Sequence, residues 1–199
     1  MQKDRLALLV MDVQEGIVKR FGEKPEALAP FRRAVSAARA AGIPVIFVRV
    51  AFRAGYPEVS PKNKAFSSLT KLGGMTVTDA STQIHSSVAP EPGEPVVTKL
   101  RVSAFAGSDL EVILRSRMID TLVLAGIATS GVVLSTLLEA ADKDYGLVVL
   151  SDACLDADPE VHRVLIEKLF PRRADVLTAD AWAESLQLEK PGSGSDTRG

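Results

Sequence analysis

Hydrophobic and polar positions alternate along this 199-residue chain between two kinds of pattern. Short continuous apolar runs, such as LALLVM and TLVLA, are typical of parallel strands that are covered on both faces. Segments between the runs carry apolar residues three and four positions apart, which predicts helices. The predicted strands are Leu6–Met11, Pro44–Val50, one that begins at Val96 and Val97, Thr121–Ala125, Leu147–Leu150 and Asp175–Leu177.

Helix signals fill the intervals between these strands. Ala27–Ala41 carries an apolar stripe and is followed by Gly42, a residue that commonly ends helices. Asp158 before Pro159 predicts a helix start, and Ser108 with Glu111 has the spacing of a capping box. Further helices are predicted from about Gly131 to Lys143 and around Ala179 to Leu186. Strands that alternate with helices predict an open, parallel, doubly wound α/β sheet.

Two regions stand outside this alternation. Phe52–Ala89 is rich in Pro, Gly, Ser and Thr and is long for a connection, so we predict that it covers a site. Lys190–Gly199 contains no aliphatic residue. We therefore expect one domain over residues 1–188 and a disordered tail over residues 189–199.

Composition narrows the classes of function. Lys and Arg number 24 against 25 Asp and Glu, so no basic excess favours nucleic acid or anionic lipid as partners. The apolar run that ends before Asp12 is too short for a membrane span and has no small-residue cleavage site after it. The chain has one cysteine, which excludes an intrachain disulfide framework. We expect a cytoplasmic protein without membrane contact.

Motifs for phosphates, metals and thiol chemistry fail on inspection. Gly126–Gly131 (GIATSG) follows a strand and opens a helix, but Val132 stands where a P-loop needs Lys. Neither His85 nor His162 has a second His at ligand spacing, so each is assigned a surface or hydrogen-bonding role. We predict no metal site and no cofactor. Cys154 is interpreted as a small buried or half-buried residue, with a nucleophile as the less favoured alternative.

Position in the predicted sheet singles out three strand ends. Ligands of open α/β sheets bind beyond the carboxyl ends of the strands, where the helices change faces. Asp12 follows the first strand, Lys99 ends the third, and Gly126–Gly131 follows the fourth. An acid and a cation beside the N–H groups of a helix start would form an anion-stabilising pocket. Alternatively, Asp12 caps a turn and Lys99 is a solvated charge.

Four segments at these positions resemble the isochorismatase-like cysteine hydrolase family. They are LLVMDVQ, VVTKLRVSAFAGSDLE, LAGIATSGVVLSTLLEAADKDY and VVLSDACLDADPEVH, which together span most of residues 6 to about 180. The resemblance implies a Rossmann-like, six-stranded parallel sheet in a three-layer α/β/α sandwich. It also implies hydrolysis of a small-molecule substrate by a homodimer or homotetramer.

The resemblance carries over to individual residues. Asp12 is similar to the family's catalytic aspartate, and Lys99 to its catalytic lysine. Relatives that hydrolyse N-carbamoyl amides carry Thr-Ser-Gly-Cys where this chain has Thr129-Ser130-Gly131 followed by Val132. Val132 is thereby placed at the position of the nucleophile, and its isopropyl group cannot form a thioester.

Other features of the family surround this position. The Ile127–Ala128 peptide matches one that is cis in relatives, and the N–H groups around Gly131 and Val132 are candidates to polarise a carbonyl. Ser130 and Ser135 are nearby hydroxyls, but neither occupies the nucleophile's position, and both are interpreted as helix-start or packing residues.

Comparison within the family leaves two functions open. Nicotinamidases use an Asp/His metal site after the second strand. Residues 49–66 contain no His, so nicotinamidase activity is not expected. True isochorismatases need an acid rather than a thiol. The first hypothesis is a cysteine-independent hydrolase with Asp12 as general acid/base and Lys99 as its electrostatic partner. The alternative is a catalytically inactive member that binds a small molecule or assists assembly, which burial of both charges under Phe52–Ala89 would favour. A thiol reaction at Cys154 ranks below both.

Overall fold

Six parallel strands form one sheet in the computed structural model, which describes residues 3–21 and 25–188. The predicted tail, residues 189–199, lies outside the described residues. Along the sheet the strand order is β3-β2-β1-β4-β5-β6. The strands are β1 (Leu6–Met11), β2 (Val45–Val50), β3 (Val96–Lys99), β4 (Thr121–Ile127), β5 (Gly146–Leu155) and β6 (Asp175–Leu177).

All six predicted strands are confirmed, but two of them run further than predicted. β4 continues to Ile127, and β5 continues five residues beyond Leu150 to Leu155. The apolar run of β5 is interrupted at Ser151 and Asp152, which is why the pattern ended there. A register irregularity between β4 and β5 accommodates the interruption and sets Cys154 opposite Gly126. Cys154 therefore lies within β5 and not after it.

Helices connect the strands, and the sequence predicts most of those that the structure describes. They are α1 (Glu15–Arg20), α2 (Ala29–Ala40), α3 (Leu69–Leu72), α4 (Leu110–Ser116), α5 (Leu134–Asp142), α6 (Pro159–Val164) and α7 (Ala179–Leu188). The helix predicted over residues 27–41 is shorter in the structure, because its first two residues belong to a 3-10 turn, Pro25–Leu28, that precedes α2. α1 and α3 were not predicted, since six and four residues show too little periodicity.

Two of the predicted helix ends are confirmed. Asp158 caps α6, and its Oδ1 accepts hydrogen bonds from the N–H groups of Glu160 (2.9 Å) and Val161 (3.2 Å). Gly42 follows α2 with a φ of 69°, and Ile43 N–H beyond it donates to Ala38 O. Glycine reaches this left-handed region without the steric cost that a Cβ brings.

The predicted capping box is wrong. Ser108 Oγ accepts a hydrogen bond from Leu110 N–H (3.2 Å), but α4 begins only at Leu110 and Asp109 holds the N-cap position. Glu111 does not fold back onto the helix start, because Lys143 Nζ binds its carboxylate at 2.7 Å.

Alternate side chains of β1 enter the two halves of the core. Leu6, Leu8 and Val10 pack with apolar residues of α2 and α7, whereas Ala7, Leu9 and Met11 pack with those of α4 and α5. This confirms the three-layer α/β/α sandwich. The order of the strands reverses between β1 and β4, so the switch point lies at the carboxyl ends of these two strands.

Phe52–Ala89, the covering segment, runs between β2 and β3 mostly as turns. A small apolar cluster centred on Val50, Phe52 and Leu69 anchors its first half. Its second half is joined to the end of β1 by a bridge between Gln14 and Ile84. Within the described ranges, no helix has the length and apolar character that a membrane crossing requires.

Candidate active site

The carboxyl ends of β1 and β3 bring Asp12 and Lys99 together. Lys99 Nζ lies 3.0 Å from Asp12 Oδ2, and the two side chains are only 2% and 8% exposed. β2 lies between the two strands, which places their backbones about 10 Å apart. The side chains of Lys99 and Asp12, with the 3.0 Å contact between them, bridge that distance. The alternative in which Lys99 is a solvated strand-end charge is therefore wrong.

Asp12 occupies an unusual backbone conformation at the exit of β1. Its φ is 57°, in the left-handed region that non-glycine residues seldom adopt, and its N–H donates to Val48 O at 2.8 Å. Such conformations concentrate at sites where function requires a particular side-chain direction. The backbone of β2 thus holds Asp12 in place.

Burial controls the acidity of the Asp12 carboxyl group. Removal from water raises its pKa to about 6, and this outweighs the opposing attraction and hydrogen bond from Lys99. Asp12 Oδ1 has no hydrogen-bond partner among the described residues. Lys99 Nζ also donates to Arg101 O at 3.0 Å. One carboxylate oxygen is therefore bound by Lys99, and the other is buried without a hydrogen-bond partner among the described residues.

The segment after β4 forms the third side of the site. The Ile127–Ala128 peptide is cis, and Thr129–Val133, which we call the exit turn, has a π-helical conformation before α5 begins. Ala128 O accepts hydrogen bonds from Gly131 N–H (3.1 Å) and Val133 N–H (3.3 Å). Gly131 N–H is thus already engaged, and it would have to leave Ala128 to bind an oxyanion.

Val132 faces the apolar core. It is 2% exposed and belongs to the cluster that α4 and α5 form against the sheet. The helix predicted over residues 131–143 begins in the structure as the π-helical exit turn. The sequence did not indicate this, because the spacing of apolar residues does not distinguish a π turn from an α-helical turn.

Gly126 permits the close approach of β1, β4 and the exit turn. A Cβ at this position would lie 2.8 Å from Met11 O and 3.2 Å from Val133 Cγ2. The first distance is shorter than real Cβ contacts. A residue with a side chain would therefore push apart the two strand ends that carry the site.

Hydrogen bonds from neighbouring elements hold the exit turn and the start of α5. Thr129 Oγ1 lies 2.8 Å from His162 Nδ1, and Ser130 N–H donates to Asp156 Oδ2 at 2.7 Å. Burial raises the pKa of Asp156, but the hydrogen bonds from Ser130 and adjacent amides lower it below its ordinary value. Thr136 Oγ1 accepts from Ala104 N–H at 2.9 Å. The hydrogen-bonding role predicted for His162 is confirmed.

Gln14 is a site-bordering residue that the sequence analysis missed. Its side-chain Oε1 accepts from Val50 N–H (2.9 Å), and Nε2 donates to Val50 O (3.1 Å) and Thr82 O (2.9 Å). The buried amide thereby joins the ends of β1 and β2 to the covering segment. A polar residue two positions beyond Asp12 in LLVMDVQ was the available signal.

The remaining chemically reactive residues lie elsewhere. Cys154 is buried, and burial raises the pKa of its thiol to about 12, which confirms its interpretation as a small buried residue. His85 Nδ1 accepts from Ser87 N–H (3.2 Å) within the covering segment. Over residues 3–21 and 25–188, no group of three or more His, Cys, Asp or Glu side chains could hold a metal ion.

Comparison with known proteins decides the family. The model of the isochorismatase domain matches residues 6–181. The chain belongs to the isochorismatase family. This confirms the resemblance found in the sequence, and the protein is a hydrolase of that family.

Relatives of this isochorismatase-family protein include named amidohydrolases. It is 36% identical over 182 residues to the ureidoacrylate amidohydrolase RutB of Stutzerimonas stutzeri, covering 80% of this chain and 73% of the relative. It is 35% identical over 183 residues to the uncharacterized isochorismatase family protein YecD of Escherichia coli O157:H7, covering 90% and 95%.

Solved structures show the same architecture. A cysteine hydrolase from Pseudomonas syringae pv. phaseolicola 1448A superimposes with a TM-score of 0.85 at 22% identity, over 94% of this chain and 95% of that one, which shows the fold. N-carbamoylsarcosine amidase from Thermoplasma acidophilum gives a TM-score of 0.71 at 26% identity, over 88% and 97%.

Proposed function

We propose that this isochorismatase-family hydrolase cleaves a small-molecule substrate without a cysteine nucleophile, using Asp12 as general acid/base and Lys99 as its electrostatic partner. The observation that carries the proposal is the buried Asp12 carboxyl group, held by Lys99 at one oxygen and unpartnered at the other. Its pKa, raised to about 6, lies near neutral pH, where proton transfer in both directions is efficient.

In each turnover Asp12 accepts one proton and then gives it up again. The ionised carboxylate takes a proton from a water molecule while the water oxygen bonds to the electrophilic carbon of the substrate. The neutral carboxyl group then gives that proton to the leaving group as the old bond breaks. One water is consumed, the carboxylate is regenerated, and the Lys99 ammonium group stabilises its charge.

We further propose that Val132 stands where cysteine-dependent relatives carry their nucleophile. Its place in the exit turn, next to Gly131, supports this assignment. An isopropyl group has no lone pair with which to attack a carbonyl, so water is the nucleophile. Amides and N-carbamoyl compounds are the first substrates to test, because the named relatives are a ureidoacrylate amidohydrolase and an N-carbamoylsarcosine amidase.

A second candidate function is a small-molecule binding or assembly protein without catalysis. The observation that favours it is the low exposure of Asp12 (6%), Lys99 (2%) and Val132 (2%) in the single chain. In this case the two charges would only hold each other, and a ligand would bind elsewhere. The predicted homodimer or homotetramer would be its assembly state, which light scattering after size-exclusion chromatography measures.

A hydrolysis screen separates the two candidates. The panel contains small amides, N-carbamoyl compounds and isochorismate, and the proteins are wild type, Asp12→Asn and the matched control Asp175→Asn, which alters an exposed carboxylate on β6. We expect turnover by wild type and the control, and a loss of at least about 100-fold in Asp12→Asn, because general acid–base catalysis contributes about that much or more. Turnover that survives in Asp12→Asn would refute the proposed role of Asp12.

Silence of all three proteins would favour the binding function. Val132→Cys then tests whether the scaffold still positions a nucleophile. Amidase activity gained by this substitution would support the assignment of position 132, and no gain would count against it.

A further inference from the structure

Two hydrogen bonds join the exit turn to the segment that follows β5. Thr129 and Ser130 are consecutive residues of the turn, and they bind His162 and Asp156 respectively. We propose that His162 is a positioning residue, which holds the exit turn in place through the Thr129 hydroxyl group. The proposal rests on the proposed function only in taking the exit turn as part of the site.

The Thr129 hydroxyl group needs a partner at this position. Thr129 is fully buried, and a buried hydroxyl without a hydrogen bond is unfavourable. His162 Nδ1, at 2.8 Å, is the partner that the structure provides. The bond reaches from α6 to the first residue of the exit turn, three positions before Val132.

Helix α6 contributes no buried residue to the apolar core, whereas Leu165 in the segment that follows it is buried there. None of its six residues is buried, yet His162 is directed inward and is half-buried. Arg163, the next residue, binds Glu160 and Glu167 within the same helical segment. The contact of α6 with the site is therefore specific and polar, and it passes through His162.

Asp156 fixes the other end of this connection. Its Oδ2 binds Ser130 N–H at 2.7 Å, and its Oδ1 accepts from Asp158 N–H at 3.2 Å. Asp158 in turn caps α6. Hydrogen bonds through Asp156 thus join the start of α6 to the exit turn. They fix the position of the His162 ring relative to Thr129.

A thiol introduced by Val132→Cys reports on the exit turn without any substrate. Position 132 is 2% exposed, so local opening of the exit turn speeds the alkylation of a thiol there by iodoacetamide. Cys154 in β5 is an internal reference in the same protein, because it is buried and burial raises the pKa of its thiol to about 12. Peptide mass spectrometry distinguishes alkylation at the two positions.

In the Val132→Cys background we compare His162→Ala, Thr129→Val and both together. We expect alkylation at position 132 to rise at least fivefold in each single variant, without a further rise in the double variant, because the same hydrogen bond is lost in all three. Alkylation of Cys154 should change less than twofold. His162→Asn places a polar side-chain atom near the position of Nδ1. Its alkylation rate at position 132 should therefore lie within twofold of the rate in Val132→Cys alone.

Arg163→Ala is the matched control, because it perturbs α6 without touching the exit turn. The proposal is overturned if His162→Ala changes alkylation at position 132 no more than Arg163→Ala does. It is equally overturned if Cys154 becomes reactive to the same extent, since His162 would then support overall stability. These measurements do not depend on hydrolytic activity, so this test can be carried out even if the protein has no turnover. Conversely, unchanged alkylation at position 132 in His162→Ala would overturn the role of His162 without affecting the role proposed for Asp12.

Discussion

Replacing Lys99 by Met removes the cation from the buried pair and keeps a side chain of similar length. In wild type, burial raises the pKa of Asp12 to about 6, although attraction and a hydrogen bond from Lys99 both lower it. Without Lys99 only the effect of burial remains, so the pKa of Asp12 rises further. The stability of Lys99→Met should therefore depend on pH over a wider range than that of wild type.

The size of this dependence follows from the two pKa values of Asp12. Below pH 3.8, the ordinary value, the carboxyl group is protonated in both the folded and unfolded states and has no effect. As the pH rises from there to about 6, the unfolded chain loses the proton while the folded protein keeps it, so wild-type stability falls. About two pH units at about 1.4 kcal/mol each make a loss of about 3 kcal/mol, after which stability levels off.

In Lys99→Met the decline continues above pH 6. Above pH 6, stability falls by about 1.4 kcal/mol for each pH unit up to the raised pKa of Asp12 in this variant, whereas wild-type stability is level there. Any pH-independent cost of placing Met at this position cancels in the comparison.

Urea unfolding at pH 5, 6, 7 and 8 measures this difference, and Asp12→Asn/Lys99→Met is the control. The double variant has no carboxyl group at position 12, so we expect it to lack the additional decline. The reasoning would be refuted if Lys99→Met and wild type differed by the same free energy of unfolding at pH 5 and pH 8.

Two further substitutions test how the strand ends are held together. Gly126→Ala should destabilise the protein by about 1–3 kcal/mol in urea unfolding, because its Cβ would meet Met11 O at 2.8 Å; an unchanged midpoint would show that the strand ends are free to separate. Gln14→Glu places a carboxylate oxygen against Val50 O and Thr82 O, and should cost at least about 2 kcal/mol and speed proteolysis of the covering segment. Wild-type resistance to protease in this variant would contradict the role given to Gln14.

Most of the fold could be predicted from the sequence, because its strands are buried on both faces. β1 is buried at every position, so the apolar run alone marks it. Apart from the short helices α1 and α3, the unpredicted parts depend on long-range contacts. β5 passes beyond Leu150 only because β4 shifts register beside it, and Glu111 leaves its capping position only because Lys143 approaches from another part of the chain.

The candidate site was predictable in its position but not in its environment. Parallel strands end at one edge of a sheet, so Asp12 and Lys99 could be expected near each other from their places after β1 and at the end of β3. The near-complete burial of the pair depends on tertiary packing that no local pattern encodes. Thr129 and His162 are 33 positions apart, and the sequence shows nothing that joins them.

The two proposed functions differ in what they require of the buried pair. Val132 packs into the apolar cluster, so a valine there is compatible with either function. Asp12 and Lys99 are different, because a buried ion pair adds little stability over apolar residues of the same volume. Asp12 also adopts a left-handed backbone conformation and leaves one oxygen unpartnered. Packing alone explains none of these costs, whereas a proton-transferring carboxyl group requires the unpartnered oxygen and the cation beside it, and this favours the hydrolase over the binding protein.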